Sequence, residues 1–175
     1  MPSYTLAPEA RIGAMSRQIA RAVEVAAERV GGPIRLAGHS AGGHLAMRMI
    51  CADDLLGASV FARVQSVLSI SGLHDLRPLM QTAMNGTLQL DEAEALAESP
   101  ALLRPRADVP VTAWVGGGER PEFLRQARLL ATMWEGLDTR ARAVVDDDHH
   151  HFSVIEGLRS GESAITAALL EDGGL

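Results

Sequence analysis

Along these 175 residues, short solid apolar runs alternate with longer stretches in which apolar positions recur every three or four residues. The first rhythm fits strands buried on both faces and the second fits amphipathic helices. Their alternation predicts an α/β fold, a mostly parallel sheet with flanking helices. In residues 10–30 the positions Ile12, Met15, Ile19, Val23, Ala26, Ala27 and Val30 keep the helical spacing, while Arg17, Arg21, Glu24 and Glu28 take the other faces. Gly31, Gly32 and Pro33 stop that helix. Residues 34–37 read as a short buried strand, followed by a helix over 41–51. Further strands are predicted at 64–70, 111–115 and 140–145, helices at 122–134 and 162–170, and a fifth strand at 2–6. Residues 73–109, with Pro78, Pro100 and Pro105, are less regular and resemble an insertion that shapes a pocket at the carboxyl ends of strands. No repeat or linker divides the chain, so residues 1–175 are read as a single domain.

Composition narrows the chemistry. Apolar residues make up 47% and charged residues 22%, ordinary values for a folding chain. The net charge of −6 leaves no basic stripe to neutralise phosphates, which argues against nucleic acid as a partner. No apolar run reaches the roughly 20 residues that span a bilayer, so no membrane partner is expected. All 16 basic residues are arginine, which excludes Schiff-base chemistry and the lysine of a phosphate-binding loop. Cys51 is the single cysteine, so no internal disulfide and no thiolate zinc cluster can form. A reducing cytoplasm is the expected location, and Cys51 is read as core.

Gly38-His39-Ser40-Ala41-Gly42 matches G-x-S-x-G directly after a predicted strand and before a predicted helix, where that pattern has physical meaning. A serine on so sharp a turn needs small neighbours, which Gly38 and Gly42 are expected to supply. The turn would expose the Ser40 hydroxyl and aim the Ala41 amide at an oxyanion. Glycine-rich turns also cradle phosphates, and serines also cap helices. A nucleophilic serine needs a base and an orienting acid, which in this arrangement follow in the order serine, acid, histidine. Glu119 after the third strand and the run Asp146 to His151 after the fourth offer both at the same sheet edge. The Asp146–His151 run is not read as a metal site, because consecutive side chains diverge and no second cluster completes a shell. His149 and His150 are read as solvated loop residues, and Trp114 and Trp134 as core.

The elbow residues Gly38 to Leu45, with Tyr4-Thr5-Leu6-Ala7-Pro8-Glu9, Ser71-Gly72-Leu73-His74-Asp75-Leu76-Arg77-Pro78-Leu79, Glu119-Arg120-Pro121-Glu122-Phe123-Leu124-Arg125-Gln126 and His151-Phe152-Ser153-Val154-Ile155-Glu156, resemble the kynurenine formamidase (arylformamidase) branch of the α/β-hydrolases. The resemblance implies Ser40 as nucleophile, His151 as general base and Glu119 as acid. Aspartate is the more familiar acid there, and Glu122 is the rival, read as structural. It further implies hydrolysis of an aryl formamide such as N-formylkynurenine, a small-molecule substrate, through an acyl-serine, with no metal and no cofactor. Small aryl or short-chain esters are the alternative substrates.

Members of that branch carry more chain ahead of the segment that opens this one, including an HGG-type motif whose amides form half of the oxyanion hole. No such motif occurs in these residues. The chain is therefore expected to be the carboxyl-terminal two-thirds of a hydrolase, through a gene-start misassignment, a fragment or a genuine truncation. An absent strand would leave residues 34–37 as an apolar edge, inviting aggregation or a homodimer. A catalytically inactive remnant serving as a binding or dimerisation module is the alternative from another class.

Overall fold

A computed structural model describes residues 1–170. Four parallel strands, β1 (Ile34–His39), β2 (Val64–Ile70), β3 (Val111–Gly116) and β4 (Ala141–Asp146), pair in the order β1-β2-β3-β4. The helices are α1 (Ile12–Arg29), α2 (Ala41–Arg48), α3 (Ala58–Phe61), α4 (Asn85–Leu88), α5 (Glu92–Ala97), α6 (Pro121–Trp134) and α7 (Ala164–Leu170). Period-two alternation sends Val67, Val111, Ala113 and Val115 to one face, where Met47 and Ile50 after the elbow and Leu130 and Trp134 of α6 close over them. Leu68, Ile70 and Trp114 point the other way, against Val154 and the α7 residues Ile165 and Ala168. Helix α1 adds Ala20, Ile19 and Val23 to the first face. The sheet thus lies between two helical layers, as a parallel sheet requires.

The predicted strands at 34–37, 64–70, 111–115 and 140–145 are all present, differing by a residue or two at their ends. Helix α2 is shorter than predicted, stopping at Arg48, and Cys51 instead bridges to Pro105. Helix α7 begins at Ala164, where the Ser163 hydroxyl accepts from the Thr166 amide (3.2 Å), an N-cap bond.

The predicted strand at 2–6 does not form. The segment is irregular, tied down by the Thr5 amide donating to Gln18 Oε1 (2.8 Å) on α1, with Leu6 exposed. It pairs with no strand among the described residues. Among the described residues β1 is an edge, and none of its residues is fully buried, whereas every residue of β3 is.

Residues 73–109 form an insertion of 3-10 turns, α4 and α5 rather than a loop. Its Glu98 reaches back to the helices: Ser16 of α1 and buried Arg48 of α2 both donate to Glu98 Oε2, at 2.7 and 2.8 Å. His44 of α2 donates from Nε2 to the Glu98 carbonyl (2.7 Å).

Candidate active site

Strand β1 runs directly into α2, and Ser40 alone makes the turn, with φ 56° and ψ −118°. Only an over-determined environment holds a non-glycine residue there. The Ser40 amide still donates to the Ile70 carbonyl (2.8 Å), and its own carbonyl accepts from the Gly43 and His44 amides (2.9 and 3.2 Å). The residue is therefore strung between the sheet and the first turn of the helix, with its side chain left at the bend. Ala41 is the first residue of α2, so its amide has no acceptor within the helix.

The glycines at the turn do not divide the work as predicted. A Cβ on Gly38 would collide with the Gly42 carbonyl, so Gly38 is required. At Gly42 a Cβ would meet nothing within 4 Å, which corrects its expected role. The crowded position is Gly43, where a Cβ would lie 2.6 Å from Ser69 Oγ and 2.9 Å from the Gly72 Cα. Helix α2 sits so close to the end of β2 that no side chain fits between them.

From the turns after β4, His151 brings Nε2 to 3.2 Å from Ser40 Oγ. Its Nδ1–H donates to Glu119 Oε2 (2.6 Å). The carboxylate accepting at Nδ1 fixes the tautomer and leaves the Nε2 lone pair facing the hydroxyl. The Glu119 side chain is fully buried, and its Oε1 accepts from Ser71 Oγ (2.5 Å) and the Gly116 amide (2.9 Å). The three sequence-predicted side chains thus stand in one hydrogen-bonded line.

The rival carboxylates face elsewhere. Asp146 accepts from Trp114 Nε1 (3.3 Å) and pairs with His149 Nδ1 (2.8 Å). His149 is accordingly tied to Asp146 rather than simply solvated, and the carboxylate raises its pKa above the usual histidine value. Glu122 bonds Arg125 and Gln126 on its own helix, in keeping with a structural role. Among the described residues, no group of three or more His, Cys, Asp or Glu converges on a metal position.

Several residues around His151 had no role in the sequence reading. The ring of Phe123 lies 4.4 Å from it centroid to centroid, His39 lies at 4.6 Å and Phe152 at 5.3 Å, edge-on. His39 Nε2–H also donates to the His151 carbonyl (2.7 Å), and burial lowers the His39 pKa although this bond opposes the shift. The only signal in the sequence was position: His39 precedes the serine and Phe152 follows the histidine.

Beside Ala41 opens an apolar cavity of about 100 Å³, lined by Tyr4, Ile12, Met15, His44 and Leu45, and closed by Leu73, Leu76, Leu79, Met84 and Leu88 of the insertion. A larger hollow of about 400 Å³ lies at the opposite end of the strands, near Pro110, Arg140 and Arg142.

A family model described as "alpha/beta hydrolase fold" matches residues 1–122. The chain belongs to that family. Within the α/β hydrolases it is similar to a kynurenine formamidase of Salmo salar, 32% identical over 180 residues covering 96% of this chain and 60% of that protein. A kynurenine formamidase of Danio rerio is 30% identical over 177 residues, covering 96% and 59%. Among solved structures, a candidate thioesterase from Silicibacter sp. TM1040 superposes with a TM-score of 0.92 at 47% identity, over 98% of this chain and 63% of that one. A Pyrobaculum calidifontis esterase, at 21% identity and a TM-score of 0.68 over 95% and 63%, shares the fold. The chain spans about 60% of the length of the curated relatives it matches. In this hydrolase fold the Ser40 turn is the strand-to-helix elbow, and the Glu119 and His151 turns follow β3 and β4 at the same sheet edge. No helix among the described residues is long and apolar enough to cross a membrane.

Proposed function

We propose that this chain carries the acyl-transfer machinery of a serine hydrolase acting on small aryl formamides of the N-formylkynurenine type. The observation that carries the reading is the line Ser40 Oγ, His151 Nε2, His151 Nδ1, Glu119 Oε2, with spacings of 3.2 and 2.6 Å. Ser40 Oγ attacks the formyl carbon while His151 Nε2 takes the hydroxyl proton. The carbonyl oxygen becomes an oxyanion, toward which the Ala41 amide donates. When the C–N bond breaks, His151 returns the proton to the departing aryl amine, leaving a formyl ester on Ser40. Water, deprotonated by His151, then attacks that ester; formate leaves and Ser40 regains its proton. Glu119 holds the imidazole tautomer throughout and stabilises its charged form.

The formamide substrate is supported by the two kynurenine formamidases, similar along 96% of this chain. Acyl transfer from a thioester or short-chain ester is the second reading. It is favoured by the 47% identity to a protein described as a candidate thioesterase. All three substrates are cleaved by the same chemistry, each leaving its own acyl group on Ser40, so the line of side chains does not separate them.

The test is covalent labelling by a fluorophosphonate, followed by turnover of an aryl formamide, a p-nitrophenyl ester and an aryl thioester. The expected result is stoichiometric labelling that Ser40→Ala abolishes, with the formamide showing the highest kcat/KM. Labelling that persists in Ser40→Ala would overturn the nucleophile assignment. Activity lost to a chelator and restored by zinc would replace the serine mechanism with a metal one.

A further inference from the structure

We propose that Ser71 is a positioning residue, its hydroxyl clamping the Glu119 carboxylate so that Oε2 faces His151; this rests on the serine-hydrolase reading above. Ser71 follows the last residue of β2 and is 1% exposed. Its amide donates to the Trp114 carbonyl (2.7 Å), so its backbone is still held against β3. Its φ is nevertheless 50°, in the left-handed region that a glycine enters freely and other residues enter at a cost. The next residue is a glycine, Gly72, yet the strained angle falls on the serine. What serine has at this point and glycine lacks is the hydroxyl, and that hydroxyl lies 2.5 Å from Glu119 Oε1.

The clamp answers a geometric need. The terminal torsion of a glutamate is broad rather than confined to narrow staggered wells. A carboxylate on this longer stem would turn or tilt unless one oxygen were pinned. Here Oε1 accepts from two sides, Ser71 Oγ and the Gly116 amide (2.9 Å). Oε2 is thereby turned toward Nδ1 of His151, at 2.6 Å. Ser71 touches neither Ser40 nor His151 through any bond in this line, so it acts through Glu119 alone.

The experiment measures the second-order rate constant of fluorophosphonate labelling in a double-mutant cycle of Ser71→Gly with Glu119→Gln, with thermal melting of each variant. Ser71→Gly deletes the hydroxyl while relieving the backbone angle, so stability should hold or rise; Ser71→Ala deletes it with the angle retained. Both should slow labelling by roughly ten- to 10²-fold, the scale of a sub-ångström to 1 Å misplacement of a reacting group. In the Glu119→Gln background Ser71→Gly should cause no further loss, because the group it positions is already changed. Parent labelling with Ser71→Gly at the parent rate would overturn this role and leave the serine-hydrolase reading standing. The same loss in both backgrounds would also overturn it, since Ser71 would then act by another route. Absence of Ser40 labelling in the parent chain would overturn both.

Discussion

At Glu119 one carboxylate joins three neighbouring strand ends: Ser71 follows β2, Gly116 closes β3 and His151 follows β4. Replacing it with glutamine keeps volume and removes the charge that selects the imidazole tautomer. We expect Glu119→Gln to fold normally and to lower kcat by about 10⁴, the fall seen when the orienting acid of such a triad becomes an amide; a fall below tenfold in steady-state turnover would refute that role. Cys51 is the contrast. It is fully buried and burial pushes its thiol up to about 12, so it remains protonated and unreactive at neutral pH. Cys51→Ala should leave labelling unchanged and cost about 1 kcal/mol in urea unfolding, the size of one deleted methylene-like group. Ser40, Glu119 and His151 were legible as candidates because each follows an apolar run, where the sequence itself marks the strand end. Ser71 and His39 were not, because their partners lie 48 and 112 residues away and neither serine nor histidine carries a sign of what it will touch.

Helix α2 is short and glycine-rich, a poor helix by propensity, and it is held from outside. Its Arg48 is buried between Glu98 (2.8 Å) and Asp53 (2.6 Å), and its His44 binds the Glu98 carbonyl. The insertion therefore fixes the helix whose first amide is Ala41. The two adjacent glycines of α2 give a sharp test of this close packing. Gly43→Ala drives a methyl into Ser69 and Gly72 and should destabilise by about 1–3 kcal/mol, as overpacking does. Gly42→Ala meets open space and should be neutral or stabilise by up to about 1 kcal/mol through helix propensity. Equal melting temperatures for the two variants would contradict the packing described for Gly43. At this scale the apolar rhythm reported the sheet well, since β2 to β4 need only local runs with glycines or turns after them. Residues 2–6 had the apolar pattern but are tied to α1 rather than paired with a strand, and a strand is defined by its partner as much as by its residues. The choice of Gly43 over Gly42 was equally hidden, because it depends on how far α2 lies from β2.

Across the whole molecule, buried histidines set the response to acid. His44 and His74 are almost fully buried, and desolvation lowers their pKa to about 4 and about 3. Both sit under the elbow: His44 against the Glu98 carbonyl with Arg48 nearby, His74 against Ser69 Oγ at 3.3 Å. As pH falls below about 6.5, the ordinary histidine value, the unfolded chain takes up protons that the folded chain refuses. Their stabilising contribution is therefore complete above pH 6.5 and is lost steadily down to pH 4 and 3. At pH 5 the loss amounts to about 2 kcal/mol for each histidine still neutral in the fold. His39, also lowered, adds to it. His149 is raised by Asp146 and opposes it, but it lies at the surface where solvent screens the pair. The carboxylates held below their usual range, such as Asp53 beside Arg48, lose stability only at lower pH and do not confuse the window from 6.5 to 5. Urea unfolding at pH 7 and pH 5 should therefore show a drop of several kcal/mol. His44→Gln, which keeps a donor for the Glu98 carbonyl, should be less stable than the parent at pH 7 yet lose less on acidification. Parallel stability curves for parent and variant between pH 7 and 5 would show that His44 does not titrate on unfolding in this range, and the acid sensitivity of the elbow would need another source.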